Sequence, residues 1–259
     1  MSFLSRLRYK LPNLLQPPHN LAEYRDILEA ARREGYSFYT LKGFLLAGSE
    51  AREPFLILRH DIDSHPAAAL RFAEAEERFG IRASYFFRQR TWRPRVMNIL
   101  HRRGHEVGYH TEELTAYAVR HHLKHKQEVL DALPQIRKEF SENLARLRQT
   151  VGFELDSVAA HGDFTYPVLG LGNRMVLKDG QLRRDMGILY EAYDEDLMAR
   201  YSNHVSDKPV PQNYHPAPPL DYIGHREGFL LLTHPRWWVA DPVGNLFSDL
   251  RENYRKLRW

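Results

Sequence analysis

Apolar positions along the chain alternate between two spacings. Between Asn20 and Gly35, Leu21, Tyr24, Ile27, Leu28 and Ala31 recur every three or four residues, the spacing of one buried helical face, with Asn20 placed as its cap and Gly35 beyond its end. Phe55-Leu-Ile-Leu-Arg-His60 is instead a short, nearly unbroken apolar run that leads into Asp61-Ile-Asp63, and an Ala-rich, charged stretch over 66–79 stops at Gly80. This reads as strand, loop and helix. Residues 83–88 predict a second strand, 93–103 a second helix closed by Gly104, and 106–110 a third strand. A charge-rich region over about 115–150 predicts helix, in which Pro134 must end or kink one segment before the next. Residues 156–161 and 229–234 predict two more strands, each ending in histidine. The stretch 165–225, rich in Gly, Pro, Asn and Tyr, predicts short hairpins and turns. A terminal helix over 245–257 is expected to pack Leu246, Leu250 and Tyr254 on the body.

Strands that alternate with helices imply right-handed parallel crossovers, hence an α/β fold with a mostly parallel sheet or barrel. Such sheets place their sites at the C-terminal strand edge. Four apolar runs end there in polar residues able to bind metal: His60-Asp-Ile-Asp63, His110-Thr-Glu112, His161-Gly-Asp163 and Thr233-His234. Their convergence on one rim predicts an enzyme. The expected organisation is a basic extension over 1–19 and a single domain over 20–259 with 165–225 as an irregular insertion.

Composition narrows the chemistry. The 37 Lys+Arg against 33 Asp+Glu leave a net charge of only +4, which does not imply a nucleic-acid partner. The absence of cysteine excludes disulfides, thiolate nucleophiles and Cys-ligated zinc, and leaves any metal to nitrogen and oxygen ligands, among them 14 histidines. No apolar run approaches the roughly 18–20 residues of a membrane span. Residues 1–10 interrupt their apolar positions with charge and lack the h-region of a secretory signal, so the cytoplasm is the expected compartment. Phe3, Leu4 and Leu7 opposite Arg6, Arg8 and Lys10 allow a peripheral membrane contact, with a frayed terminus the simpler reading.

The period of two on an extended chain puts Asp61 and Asp63 on one face and Ile62 on the other. Two acids on one rim suit a general base and a metal ligand, although Asp63 or Ser64 before Pro66 also suits a helix cap. His105 and His110 face opposite ways on a strand. The one at the C-terminal end, His110, is the candidate ligand; His105 is expected to make structural hydrogen bonds, and Glu112 is a reserve ligand. His161 precedes a glycine that admits a close approach, and a buried structural histidine is the alternative. His234 is placed to donate a proton to a leaving group. The following Trp237 and Trp238 are suited to stacking on a sugar or to packing. His121 and His125 sit at i, i+4 but lack the glutamate of His-Glu-x-x-His and stand beside lysines, the pattern of a solvated face.

Arg59-His-Asp-Ile-Asp63, then Gly104-His-Glu-Val-Gly-Tyr-His110, then Leu231-Leu-Thr-His234 resemble, in order and over about residues 22–240, the motifs of the polysaccharide deacetylase (NodB-homology) family. The likeness is to a divergent branch reading R-H-D-V-D and H-P-E-W-W. It implies a distorted (β/α)7 barrel and metal-dependent removal of acetyl groups from sugars, with Asp61 as base, Asp63 and His110 as ligands and His234 as acid. Two features depart from the family. Ile62 separates aspartates that are usually adjacent, so base and ligand are exchangeable, and Leu114 stands where a second histidine ligand is expected. His161 or Glu112 would complete the set. The resulting expectation is a hydrolase of an acetamido sugar or polysaccharide precursor, holding a divalent metal, zinc in the first instance, on Asp63, His110 and His161, with Arg59, Tyr109 and Trp237 orienting carboxylates or substrate. Cleavage of another C–N amide bond and a catalytically silent sugar-binding protein are the alternatives. A glycosidase pair is disfavoured because both carboxylates share one side.

Overall fold

The computed structural model describes residues 17–259 apart from 202, 210 and 211, so the basic stretch 1–10 and its expected membrane contact lie outside the described residues. Among the described residues, nine strands form one sheet: β1 (Ser37–Tyr39), β2 (Phe55–Ile62), β3 (Ser84–Phe87), β4 (Glu106–Thr111), β5 (Ser157–Ala160), β6 (Tyr190–Glu191), β7 (Asn203–Asp207), β8 (Tyr214–His215) and β9 (Phe229–Thr233). All pairings are parallel except the β7–β8 hairpin. The hydrogen-bonded order β6-β5-β4-β3-β2-β9-β7 is cyclic in sequence, the order of staves around a barrel, with its opening between β6 and β7. The fold is a distorted (β/α)7 barrel.

Around it lie α1 (Leu21–Arg33), α2 (Ala68–Glu77), α3 (Pro94–Arg102), α4 (Glu113–Arg120), α5 (Leu133–Val151) and α6 (Pro242–Arg258). The Asn20 side chain caps α1 by accepting from the backbone of Ala22 and Glu23, and Pro134 falls in the first turn of α5, where a missing N–H costs nothing. Strand β2 is buried over all eight residues because it is covered on both faces. Leu56, Leu58 and Ile62 pack outward against the helices, whereas Ile57 joins Phe86, Tyr190, Leu230 and Leu232 inside the barrel. That parity fixes the site: Arg59 and Asp61 follow Ile57 inward. His60 points outward: its Nε2 donates to Glu76 Oε1 at 2.7 Å and its Nδ1 pairs with the Thr233 hydroxyl at 2.6 Å, while Tyr24 and Tyr85 donate to the same carboxylate. His105 accepts from the Ala83 N–H at 3.2 Å, the structural role expected of it.

Two expectations fail. The 165–225 stretch does contain the β7–β8 hairpin and short helices, but it also supplies two barrel staves, β6 and β7, and so is part of the barrel. Helix α6 packs through its polar side. Leu246, Leu250 and Tyr254 are 46%, 55% and 58% exposed. The body instead holds Asn245 near Ser64 and the Arg236 carbonyl, Asp249 on Arg236 Nη2 at 2.8 Å, and Trp259 donating to the Leu123 carbonyl at 2.9 Å. The surface that receives α6 is the polar barrel mouth, which has hydrogen-bonding partners to offer and little apolar area.

Among the described residues no helix is long and apolar enough to cross a membrane.

Candidate metal centre

Of the four strand ends predicted to converge, three form one cluster of possible metal ligands. Asp63 follows β2, His110 lies in β4 and His161 follows β5; one ligand atom from each lies within 4.8 Å of the others. Asp63 Oδ1 stands 3.6 Å from His110 Nε2 and 3.5 Å from His161 Nε2, and it is buried without accepting a hydrogen bond. These separations exceed hydrogen-bond length but match the roughly 3.4 Å between neighbouring ligands around a tetrahedral ion with bonds near 2.1 Å. An orphaned carboxylate oxygen facing two imidazole nitrogens is therefore a donor set that fits a divalent cation.

The two histidines differ in protonation and in partners. His110 Nδ1 donates to the Ala159 carbonyl at 2.8 Å, which leaves Nε2 as a lone pair toward Asp63. Burial lowers its pKa to about 4 against the pull of Asp61, so the ring is neutral. For His161, burial and Arg88 push the pKa down, but Asp63 and Asp163 outweigh them and lift it to about 9. Arg88 Nη1 nonetheless approaches His161 Nε2 at 3.0 Å. An arginine N–H has only a lone pair to meet there, so the contact fits a neutral ring with its proton on Nδ1, toward Asp163 Oδ2 at 3.7 Å.

Asp61 lies beside this group, its Oδ2 3.3 Å from His110 Nε2. Arg59 grips it with two parallel bonds, Nε to Oδ1 at 2.9 Å and Nη2 to Oδ2 at 2.8 Å. Burial raises the Asp61 pKa, and Arg59 with His110 more than reverses this, leaving it ionised and below the usual carboxylate range. Across the mouth, His234 Nδ1 donates to Asp207 Oδ1 at 2.7 Å, while the His234 backbone N–H and the Trp238 indole hold Asp207 Oδ2 at 2.6 and 2.7 Å. Burial pushes the His234 pKa down, but Asp207 outweighs it and Asp63 and Asp61 add to the rise. The Trp237 ring stands 4.8 Å from the His234 ring.

No protein-family description matches the chain, and no curated protein matches its sequence. Solved structures resemble it at low similarity. The peptidoglycan deacetylase PdaC from Bacillus subtilis (mutant D285S) is 15% identical, covers 80% of this chain and 85% of its own, and has a TM-score of 0.41. A family 4 carbohydrate esterase from Streptomyces lividans in complex with acetate is 16% identical over 78% of this chain and 87% of its own, with a TM-score of 0.41. A mutant of BA3943, described as a CE4 family pseudoenzyme with restored enzymatic activity, is 12% identical over 80% of this chain and 64% of its own, with a TM-score of 0.43.

The geometry corrects one of the residues expected to orient carboxylates or substrate. Tyr109 has the opposite parity to His110; it is fully buried against the helices, with its hydroxyl on Glu113. Arg59, fully buried, takes the carboxylate-orienting role expected of it by gripping Asp61. The reserve ligand Glu112 is taken by Arg88 and belongs to a neighbouring group with His161 and Asp163. Sequence reasoning missed Asp207, Arg88 and Tyr193, whose hydroxyl accepts from Arg59 Nη2 at 3.1 Å. Arg88 had a visible signal: it is the first residue after β3, on the same rim as the residues that were found.

Proposed function

We propose that the chain is a metal-dependent hydrolase of the polysaccharide deacetylase type that removes an acetyl group from an acetamido sugar, with Asp63, His110 and His161 holding a divalent cation. The observation that carries this reading is the orphaned Asp63 Oδ1 facing two imidazole nitrogens at ion-spanning distances. Zinc is the first choice for two imidazoles and a carboxylate. Held there, such an ion would supply Lewis-acid polarisation of an amide carbonyl and would acidify water. Asp61, ionised in the grip of Arg59, receives the proton of the attacking water as the new C–O bond forms. His234, held protonated by Asp207, gives its proton to the departing amine as the C–N bond breaks. Trp237 beside it offers a face for a sugar ring.

The Arg88 contact favours a second reading. A guanidinium 3.0 Å from His161 Nε2 and 3.8 Å from Asp63 Oδ1 places a positive charge at the edge of the donor set, as in a sugar-binding protein that has given up its metal. Turnover decides between the two. Release of acetate from N-acetylated amino sugars, dependent on added zinc and lost in His234→Gln, supports the hydrolase; sugar binding with neither zinc uptake nor acetate release supports the silent protein.

A further inference from the structure

Helix α6 and the residues after β3 enclose a cleft of about 550 Å³ whose walls are dominated by arginine: Arg90, Arg120, Arg251, Arg255 and Arg258. A smaller hollow of about 270 Å³ adjoins it and reaches Asp63, and Arg90 and Arg251 line both. Of the donor set, Asp63 is the residue that lines the hollow. Acids offset part of the charge. Glu139 holds Arg120 at 2.6 Å, Glu252 holds Arg255 at 3.0 Å and stands 3.9 Å from Arg90, and Glu112 and Asp163 lie 3.7 and 3.5 Å from Arg255.

What remains is unanswered donor capacity. Arg255 Nη2 makes no hydrogen bond, although Asp163 stands 3.5 Å away, and Arg258 lies over the Tyr254 ring and meets its hydroxyl at 3.5 Å. Arg251 makes no hydrogen bond or ion pair among the described residues. A fork of guanidinium donors around a space of this size matches the oxygens of a phosphate ester, whereas a neutral sugar has no charge to set against it.

Resting on the amidohydrolase reading of the centre, we propose that this cleft binds the phosphate of a glycosyl phosphate or diphosphate whose acylated amino sugar lies in the hollow over Asp63. The substrate is then an anionic sugar ester, and Arg251, Arg255 and Arg258 are its phosphate contacts. Phe247 of α6, which lines the hollow, is 68% exposed, and the phosphate could be carried by a soluble ester or by a lipid.

The test is calorimetric binding, which does not need turnover. N-acetylglucosamine and N-acetylglucosamine 1-phosphate are titrated into the full chain and into the double variant Arg251→Ala/Arg258→Ala, whose melting temperature is checked first. The wild type is expected to bind the phosphate at least about tenfold more tightly, and the variant to bring the ratio near one. Equal affinities in the wild type, or a ratio unchanged in the variant, overturn the proposal. Binding that shows this preference while acetate release fails would retain the phosphate site and reject the hydrolase reading. Co-sedimentation with phosphatidylcholine vesicles containing phosphatidate, lost in the variant, assigns the phosphate to a lipid; preference for the soluble ester without sedimentation assigns it to a soluble carrier.

Discussion

His234 and Asp207 show how a single carboxylate sets the working state of a neighbour. Asp207 is fully buried and its oxygens are committed to the His234 ring, the His234 backbone and the Trp238 indole. Because its pull raises the His234 pKa, the imidazolium persists above the ordinary imidazole range, and activity that needs this acid falls as pH rises through the raised value. Asp207→Asn is expected to move that alkaline limb to lower pH in a rate–pH profile; an unmoved limb would assign it to another group. Arg59 and Asp61 form the second such pair, both out of water. Arg59→Gln leaves a buried carboxylate unpaired and is expected to cost about 3–5 kcal/mol in denaturant unfolding. The parity that turns Asp61 and Asp63 inward was legible because a period of two needs no tertiary information. Partners that come from another strand, as Asp207 does for His234, leave no trace in local spacing.

At the scale of elements, β3, β4 and β5 pack closely inside the barrel around Gly108. A Cβ added to Gly108 would lie 2.4 Å from the Phe86 ring and 2.8 Å from Ser157 Oγ. Gly108→Ala is therefore expected to destabilise by about 1–3 kcal/mol, read from the denaturation midpoint, and to displace His110 two residues on. Helix α6 makes the opposite prediction. Leu250, 55% exposed, should tolerate alanine within about 0.5 kcal/mol, whereas Leu144 in α5, fully buried, should lose about 2–5 kcal/mol. Similar losses at both positions would mean that α6 docks by its apolar side after all. The helices around the barrel were readable because each has a long one-sided periodicity. Strand β6 has two residues and β7 is mostly polar, Asn203-His-Val-Ser-Asp207, so neither carries an apolar run, and both are recognisable only from the sheet they complete. The polar packing of α6 had no local signal either, since its sequence alone favours burying the leucines.

For the whole molecule, the barrel brings residues about a hundred positions apart to one mouth, and a cation bound there as proposed would be tied to folding. A ligand that binds only the native state at a hundred times its Kd adds about 2.7 kcal/mol, which for a chain of this size raises Tm by roughly 5–10 °C. Zinc is expected to give such a shift, with a chelator reversing it. The most direct test of the account is zinc binding, by titration calorimetry and metal analysis, to the wild type and to Asp63→Ala, His110→Ala and His161→Ala, each first shown to be folded. The account predicts one equivalent of zinc in the wild type and weakened or lost binding in all three variants. A wild type that takes up no zinc, or folded variants that keep their full equivalent, would contradict it.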